Sequence, residues 1–404
     1  MQNNSSCFEC ECGKVHRVET EDIKVGVFAI NNLVDAIKNS KFTNILLLGL
    51  VKHENIISFL KRSVALEGKI ITQVVLKEAK PTISEATNLE DMGQELVVAI
   101  GNEELISVAK YYAYSLNCEL FIFPIGNFLD FTFSKYSRLY DGVEFSFYEA
   151  KEPSRIYVSL EENSYNIFQS YYISSKFISV FENVVREYVY ERQVCQRLKD
   201  FLKNTLNEYL KVKPNNATDM NYKNIWTLIR LGQAMSFYGE TKGFFGGDLA
   251  ISNFLQAINP LQDFLKLNTI SLKLIINSYS CFCSGEAKED TVNLNRHIMS
   301  ISKLLKITPT EVIKRLADSI LLKPSDKIKK RFNNYFPYLK GVLEKCLKRV
   351  FMLQSGLNLT ENILKEYGLN KHIIEQAYAN CVCMHANPCL LSLIFSYGYL
   401  DKLL

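Results

Sequence analysis

Six consecutive residues, Leu96-Val-Val-Ala-Ile-Gly101, constrain this chain more than any other stretch. An unbroken apolar run of this length, closed by glycine, fits a strand buried on both faces, as in parallel sheets covered by helices. From Glu103 the period changes, and Leu105, Ile106, Val108, Ala109, Tyr112 and Ala113 recur at helical spacing. Strand, tight turn and helix in this order place the turn at the carboxyl end of a strand. Nucleotide phosphates settle there against the N–H groups of a helix N-terminus.

The flanking pattern repeats the unit. Strands are expected at Ile23–Phe28, Asn44–Leu50, Lys69–Leu76 and Glu119–Pro124, with helices at Asn31–Asn39 and Glu54–Leu66. Such alternation implies right-handed βαβ crossovers and a parallel sheet, so residues 1–162 read as a Rossmann-like nucleotide-binding-type domain. Tyr136–Tyr157, aromatic and β-branched with a turn at Asp141-Gly142, reads as a hairpin. From Ser164 strand signals fade and amphipathic periodicity takes over, beginning with Ser174–Val194 and Arg197–Val212. Thr308-Pro-Thr-Glu311 carries the Thr, Pro and Glu of a capped helix start. The expected fold class is therefore an α/β N-terminal domain with a parallel sheet plus an all-α C-terminal domain over 163–404.

Composition narrows the partners. A net charge of +4 from 47 basic and 43 acidic residues is too small a bias to draw the chain to nucleic acid or an anionic membrane. The longest apolar runs, such as Ile45–Val51, fall far short of the roughly 20 residues of a membrane helix. The N-terminus lacks the charged-then-apolar pattern of a signal peptide. Eleven cysteines, an odd number scattered over 404 residues, argue for reduced thiols and a cytoplasmic location.

The stretch from Glu95 to Ala113 resembles the Val-Gly-Gly-Gly-Ser-x-x-Asp-x-Ala-Lys segment of the iron-containing alcohol dehydrogenase and dehydroquinate synthase-like superfamily, and within it the sn-glycerol-1-phosphate dehydrogenase branch. Gly101, Ala109, Lys110, Tyr111 and Ala113 match, while Asn102 and Glu103 replace two glycines and Ser107 the Asp. After Pro124 the same family has a Thr-x-x-Ser-x-Asp-Gly-x-x-Ser loop, onto which Asp130 and Ser134 fall. The resemblance implies a dehydroquinate synthase-like fold and NAD(P), with cofactor contacts at Gly101, Asn102, Glu103, Lys110 and Ser134. For Asp130 a turn or cap role and a substrate contact both stand. Glu104 reads as a helix-start acid; Glu103 reads either that way or as a charge facing the phosphate.

The resemblance also implies a divalent metal, often Zn²⁺, held by one Asp and two His of the helical domain in a cleft between the domains. Gly239-Glu-Thr-Lys-Gly-Phe-Phe-Gly-Gly-Asp-Leu-Ala-Ile-Ser-Asn-Phe254 is similar to the segment carrying one ligand. Leu249 stands at that ligand, Lys242 at an arginine and Asp248 at a glutamate. The segment before Lys176 puts Tyr172 at the Asp ligand, and Leu267-Asn-Thr269 puts Asn268 at the last ligand. Leucine has no lone pair to offer a metal, and none of the five histidines, at 16, 53, 297, 372 and 385, lies in a recognisable context of these family ligands.

Two cysteine-rich clusters stand apart. Cys7, Cys10, Cys12 and His16 form C-x2-C-x-C-x3-H, which reads either as a Zn²⁺ site or as the structural lead-in of bacterial glycerol-1-phosphate dehydrogenases, whose opening it resembles. Cys381-x-Cys383-x-His385, with Cys389 and the Cys281-x-Cys283 pair, offers a replacement metal site, though an i, i+2 pair clasps an ion poorly on a helix.

Two functions follow. One is a glycerol-1-phosphate dehydrogenase-like protein that has lost catalysis and binds through the old site or a dimer surface. The other is a working NAD(P)-dependent oxidoreductase reducing dihydroxyacetone phosphate or a related polyol phosphate, with Lys242 binding phosphate, Asp130 contacting substrate and Asp248 as a metal ligand. A small phosphorylated polyol and a second copy of the chain are the expected partners.

Overall fold

The computed structural model describes residues 8–13, 15–65, 68–211, 213–239, 242–260, 262–284, 292–319, 326–353, 359–384 and 390–396. Cys7, His385 and Cys389 lie outside them, as do the side chains of Lys242, Cys281 and Cys283. Two compact units divide the chain. One holds Met1–Gly142, Ser146–Gln169 and Asn207–Glu240; the other holds Val143–Phe145, Ser170–Leu206 and Thr241–Leu404.

The first unit opens on two short strands, β1 (Phe8–Glu9) and β2 (Val15–His16), paired antiparallel with Phe8 opposite His16. There follow β3 (Asp22–Gly26), α1 (Ala29–Lys38), β4 (Asn44–Leu50), α2 (Glu54–Val64), β5 (Ile70–Leu76), α3 (Ile83–Thr87), β6 (Leu96–Gly101), α4 (Glu103–Ser115) and β7 (Glu119–Pro124). Next come β8 (Tyr136–Tyr140), β9 (Phe145–Glu149) and β10 (Arg155–Ser159). Six strands form one parallel sheet in the order β3-β10-β7-β6-β4-β5.

Burial explains the order. All six residues of β6 are buried, as are six of the seven in β4, so these apolar runs belong in the interior of the sheet with helices on both faces. β5 has no fully buried residue, and its Ile70 is 62% exposed, as an edge strand tolerates. Leu33, Ile37, Ile57 and Leu60 project at helical spacing from α1 and α2 onto the sheet, building a core with Ile45, Val98 and Phe123.

The hairpin expected over Tyr136–Tyr157 is shorter than its aromatic pattern suggested. β8 and β9 form it, but Tyr157 belongs to β10, which lies inside the main sheet with Ile156 opposite both Ile23 and Ile122. Local pattern cannot see that pairing, because both partners are far away in sequence.

Helix α5 (Ile167–Tyr188) runs from the first unit into the second, and α6 (Gln196–Lys211) runs back. α7 (Ala217–Tyr238) lies in the first unit, capped by Asn216, whose Oδ1 accepts the Asp219 N–H at 2.8 Å, and ended by left-handed Gly239. The second unit continues with α8 (Gly247–Ile258), α9 (Phe264–Ser284), α10 (Leu294–Leu305), α11 (Pro309–Ser319), α12 (Asp326–Leu353), α13 (Leu359–Glu366), α14 (Lys371–Asn380) and α15 (Leu390–Ser396). The Thr308 hydroxyl accepts the Glu311 N–H at 3.2 Å, as the capped start predicts. Among the described residues no helix is long and apolar enough to cross a membrane.

Candidate functional site

The carboxyl edge of the sheet sets the first candidate position. β4 connects through α2 to β5 on one side, while β6 connects through α4 to β7 on the other, so the chain reverses direction between β4 and β6. Ligands of open α/β sheets bind in the crevice outside that switch point. Gly101 closes β6 there, opposite Pro124 of β7, and its carbonyl accepts the Ile125 N–H at 2.8 Å.

The turn that follows is already satisfied from within. Asn102 is the N-cap of α4, and its Oδ1 accepts the Leu105 N–H at 3.4 Å. That donor is among those an incoming phosphate would use. Glu103 and Glu104 occupy the first turn, where carboxylates satisfy the helix dipole and oppose a second anion. The turn thus fits a self-capped helix and does not fit a dinucleotide pyrophosphate. His53, which the sequence places outside any family ligand context, also stands at this edge, one turn beyond β4. Its Nε2 has no hydrogen-bond partner among the described residues, and burial first and the Lys52 ammonium second push its pKa down.

Lys110 is turned inward. Fully buried, it donates to the carbonyl of Phe131 at 2.6 Å and to that of Tyr136, tying α4 to the loop after β7. Burial pulls its pKa down to about 7, against the pull of the Glu152 and Glu103 carboxylates. Ser134 donates to the same Phe131 carbonyl at 2.9 Å and accepts the Tyr136 N–H at 3.1 Å. Asp130, fully buried, accepts the Phe131 N–H on Oδ1 at 3.0 Å at the start of a 3-10 turn over Asp130–Phe133. Lys110 of α4 and the loop residues Asp130 and Ser134 therefore converge on one buried turn, in which each holds backbone.

The second position lies inside the helical unit. Asp248, in the first turn of α8, is fully buried, and its Oδ2 accepts Nδ2–H of Asn268 on α9 at 3.0 Å. The same Asn268 Nδ2 lies 3.3 Å from the Ser252 hydroxyl. Burial pushes the Asp248 pKa up, opposed by Asn268 and by the Lys176 ammonium. Lys176 of α5 donates to the Tyr172 hydroxyl at 2.8 Å and to the Phe244 carbonyl at 3.3 Å, with its charge over the Tyr172 ring. The structure thus draws Tyr172 and Asn268, two expected ligand positions, into the surroundings of Asp248, with Leu249 next in the chain and 4% exposed.

These residues do not fit a divalent ion. Leu249 has no donor atom, the amide N–H of Asn268 faces Asp248, and the Tyr172 phenol accepts from an ammonium. Among the described residues no three His, Cys, Asp or Glu side chains converge at this position. Lys242 opens a 3-10 turn over Lys242–Phe244, and its side chain lies outside the described residues.

Sequence reasoning missed a neighbouring acid. Glu182 of α5, fully buried, accepts the Tyr279 hydroxyl proton and the Leu390 N–H, the latter at 2.8 Å. Burial raises its pKa, with Arg186 pulling the other way. Nothing in a helical apolar pattern marks one glutamate as buried, so no local signal was there to find. A cavity of about 270 Å³ elsewhere in this unit, lined by Asn183, Glu187, Lys199 and Tyr338 among others, contains none of the expected site residues.

No protein-family model matches the sequence, and no curated protein matches it. Solved structures do share its fold. An archaeal halo-thermophilic alcohol dehydrogenase from a Red Sea brine pool superposes with a TM-score of 0.58 at 12% identity, over 96% of this chain and 98% of that one. The NADH-dependent butanol dehydrogenase A of Thermotoga maritima gives 0.53 at 12% identity over 95% and 92%. Glycerol dehydrogenase from Schizosaccharomyces pombe gives 0.50 at 15% identity over 92% and 95%. At such identities the likeness is one of fold alone: the six-stranded parallel sheet with helices and the helical region that follows it form an architecture shared with these alcohol and glycerol dehydrogenase structures.

Proposed function

We propose that this chain is a glycerol-1-phosphate dehydrogenase-like protein that has lost metal-assisted hydride transfer and now works by binding. One observation carries the reading: the Asn268 amide, at a position where the resemblance puts a metal ligand, is matched to the Asp248 carboxylate, with the Lys176 ammonium beside it. Metal in such a site stabilises the alkoxide from which hydride leaves. A carboxylate paired to an amide, a leucine and a phenol engaged by lysine offer neither that charge nor a base aimed at a substrate hydroxyl. The self-capped α4 turn supports the same conclusion for the nucleotide. The ligand class in keeping with this reading is a small phosphorylated polyol held without turnover.

Calorimetry of NADH and NADPH against the purified chain, with and without Zn²⁺, tests the proposal beside an assay of dihydroxyacetone phosphate reduction. The expected result is no saturable nucleotide binding and no turnover. Saturable binding with reduction of dihydroxyacetone phosphate would overturn it in favour of a working NAD(P)-dependent oxidoreductase.

A further inference from the structure

A cluster of soft ligands lies at the start of the chain, apart from the positions described above. The Sγ atoms of Cys10 and Cys12 and a ring nitrogen of His16 lie within 4.8 Å of one another. Around one tetrahedral Zn²⁺ such atoms would stand about 3.5–3.8 Å apart, from the usual Zn–S and Zn–N lengths. Cys12 Sγ and His16 Nε2 are already 3.3 Å apart.

The backbone brings them together. Residues 10–13 form a turn rather than a helix, closed by the Gly13 N–H donating to the Cys10 carbonyl at 2.8 Å. Gly13 takes φ +77°, a left-handed conformation that suits glycine. β2 then returns His16 beside β1. The i, i+2 objection to a Cys-x-Cys clasp, valid on a helix, does not apply to this turn.

His16 is held as a ligand imidazole is held. It is fully buried, stacked on Phe237 at 5.3 Å and edge-on to Tyr238 at 4.8 Å. Its Nδ1 lies 3.0 Å from the Phe237 carbonyl oxygen, an acceptor only, so the proton sits on Nδ1 and the Nε2 lone pair faces Cys12. Metal-bound histidines are fixed in this manner by a carbonyl on the far nitrogen. Cys12 is exposed and Cys10 half-buried, which leaves a path for an ion.

We propose that Cys10, Cys12 and His16 bind a Zn²⁺ ion. Two thiols and an imidazole are donors that select zinc over magnesium or calcium. Elemental analysis of the full chain, purified under reducing conditions, is expected to find about one zinc per chain. Co²⁺ exchanged into the site should show thiolate-to-metal charge transfer and the strong d–d bands of a tetrahedral centre. Cys12→Ser and His16→Ala should each weaken zinc retention against a chelating dye by at least about tenfold, while Asp248→Asn retains it. A metal-free wild type, Co²⁺ spectra without thiolate bands, or zinc that survives Cys12→Ser and leaves with Asp248→Asn would each overturn the proposal. The wild-type spectra decide the question even if a variant fails to fold.

Discussion

Asn268 donates its amide N–H to Asp248 across 3.0 Å, and neither side chain is exposed. An amide on α9 thus partners an acid on α8 where the resemblance would put a histidine facing a metal. Truncating Asn268 to Ala leaves the Asp248 carboxylate short of a buried partner, an expected loss of about 1–3 kcal/mol. Urea denaturation would show it, and an unchanged midpoint would mean that the pair does not hold the two helices.

The α4 turn makes a prediction of gain. Replacing Asn102 and Glu103 together with glycine frees the Leu105 N–H and removes one first-turn carboxylate. If these two residues are what exclude the pyrophosphate, the double variant should bind NADH at least about tenfold more tightly than wild type, a difference of about 1.4 kcal/mol. The loss of the cap should cost only a few tenths of a kcal/mol, because glycine is itself tolerated at that position. Titration calorimetry on both proteins makes the comparison.

Much of the fold was legible because β4 and β6 are buried on both faces and advertise it as apolar runs, and because α1, α2 and α4 carry plain helical periodicity. β10 was misread as part of a hairpin because its pairing with β3 and β7 is non-local. At the site, residue types gave the missing ligands directly: Leu249 has no donor in any fold. Side-chain direction was not legible. Lys110 matched a cofactor motif yet points at two backbone carbonyls, and Glu182 sat unnoticed on a helix whose apolar spacing predicts only which face is buried. The N-terminal cluster was visible as spacing alone; that His16 presents Nε2 to Cys12 needed the Phe237 carbonyl, 221 residues away.

Close packing gives a stability prediction for α7. A Cβ added at Gly232 would stand 2.0 Å from the Asp130 carbonyl oxygen and 2.9 Å from Phe133 Cβ, so backbone must move. Gly232→Ala should therefore destabilise by about 1–3 kcal/mol, despite the higher helix propensity of alanine. Thermal unfolding is the measurement; a more stable variant would mean that the helix and the Asp130 turn can part freely.

Two buried groups of opposite type should bend the pH dependence of stability around neutrality. Glu152, 3% exposed and accepting the Thr20 hydroxyl proton at 3.1 Å, has its pKa pushed up from 4.5 to about 7, mainly by burial. The folded chain then binds this proton more tightly than the unfolded one, so its contribution is full below about pH 4.5 and is lost as pH rises to about 7. Lys110, lowered from 10.5 to about 7, acts in the opposite sense. Between those values the unfolded chain holds more protons, so stability is regained as pH rises from about 7 towards 10.5. The two arms together predict a minimum near neutrality, the acidic arm on the order of 3 kcal/mol and the basic arm on the order of 5 kcal/mol, since a tenfold change in proton affinity is worth about 1.4 kcal/mol. Glu152→Gln should flatten the acidic arm and, by removing a carboxylate that holds the Lys110 proton, move the basic arm to lower pH; Lys110→Met should flatten the basic arm and raise the Glu152 pKa further, at the cost of two carbonyls left without their donor. Denaturation midpoints measured across this range for the three proteins would test it; a wild-type curve with its maximum near neutrality would show that these two groups do not set the profile.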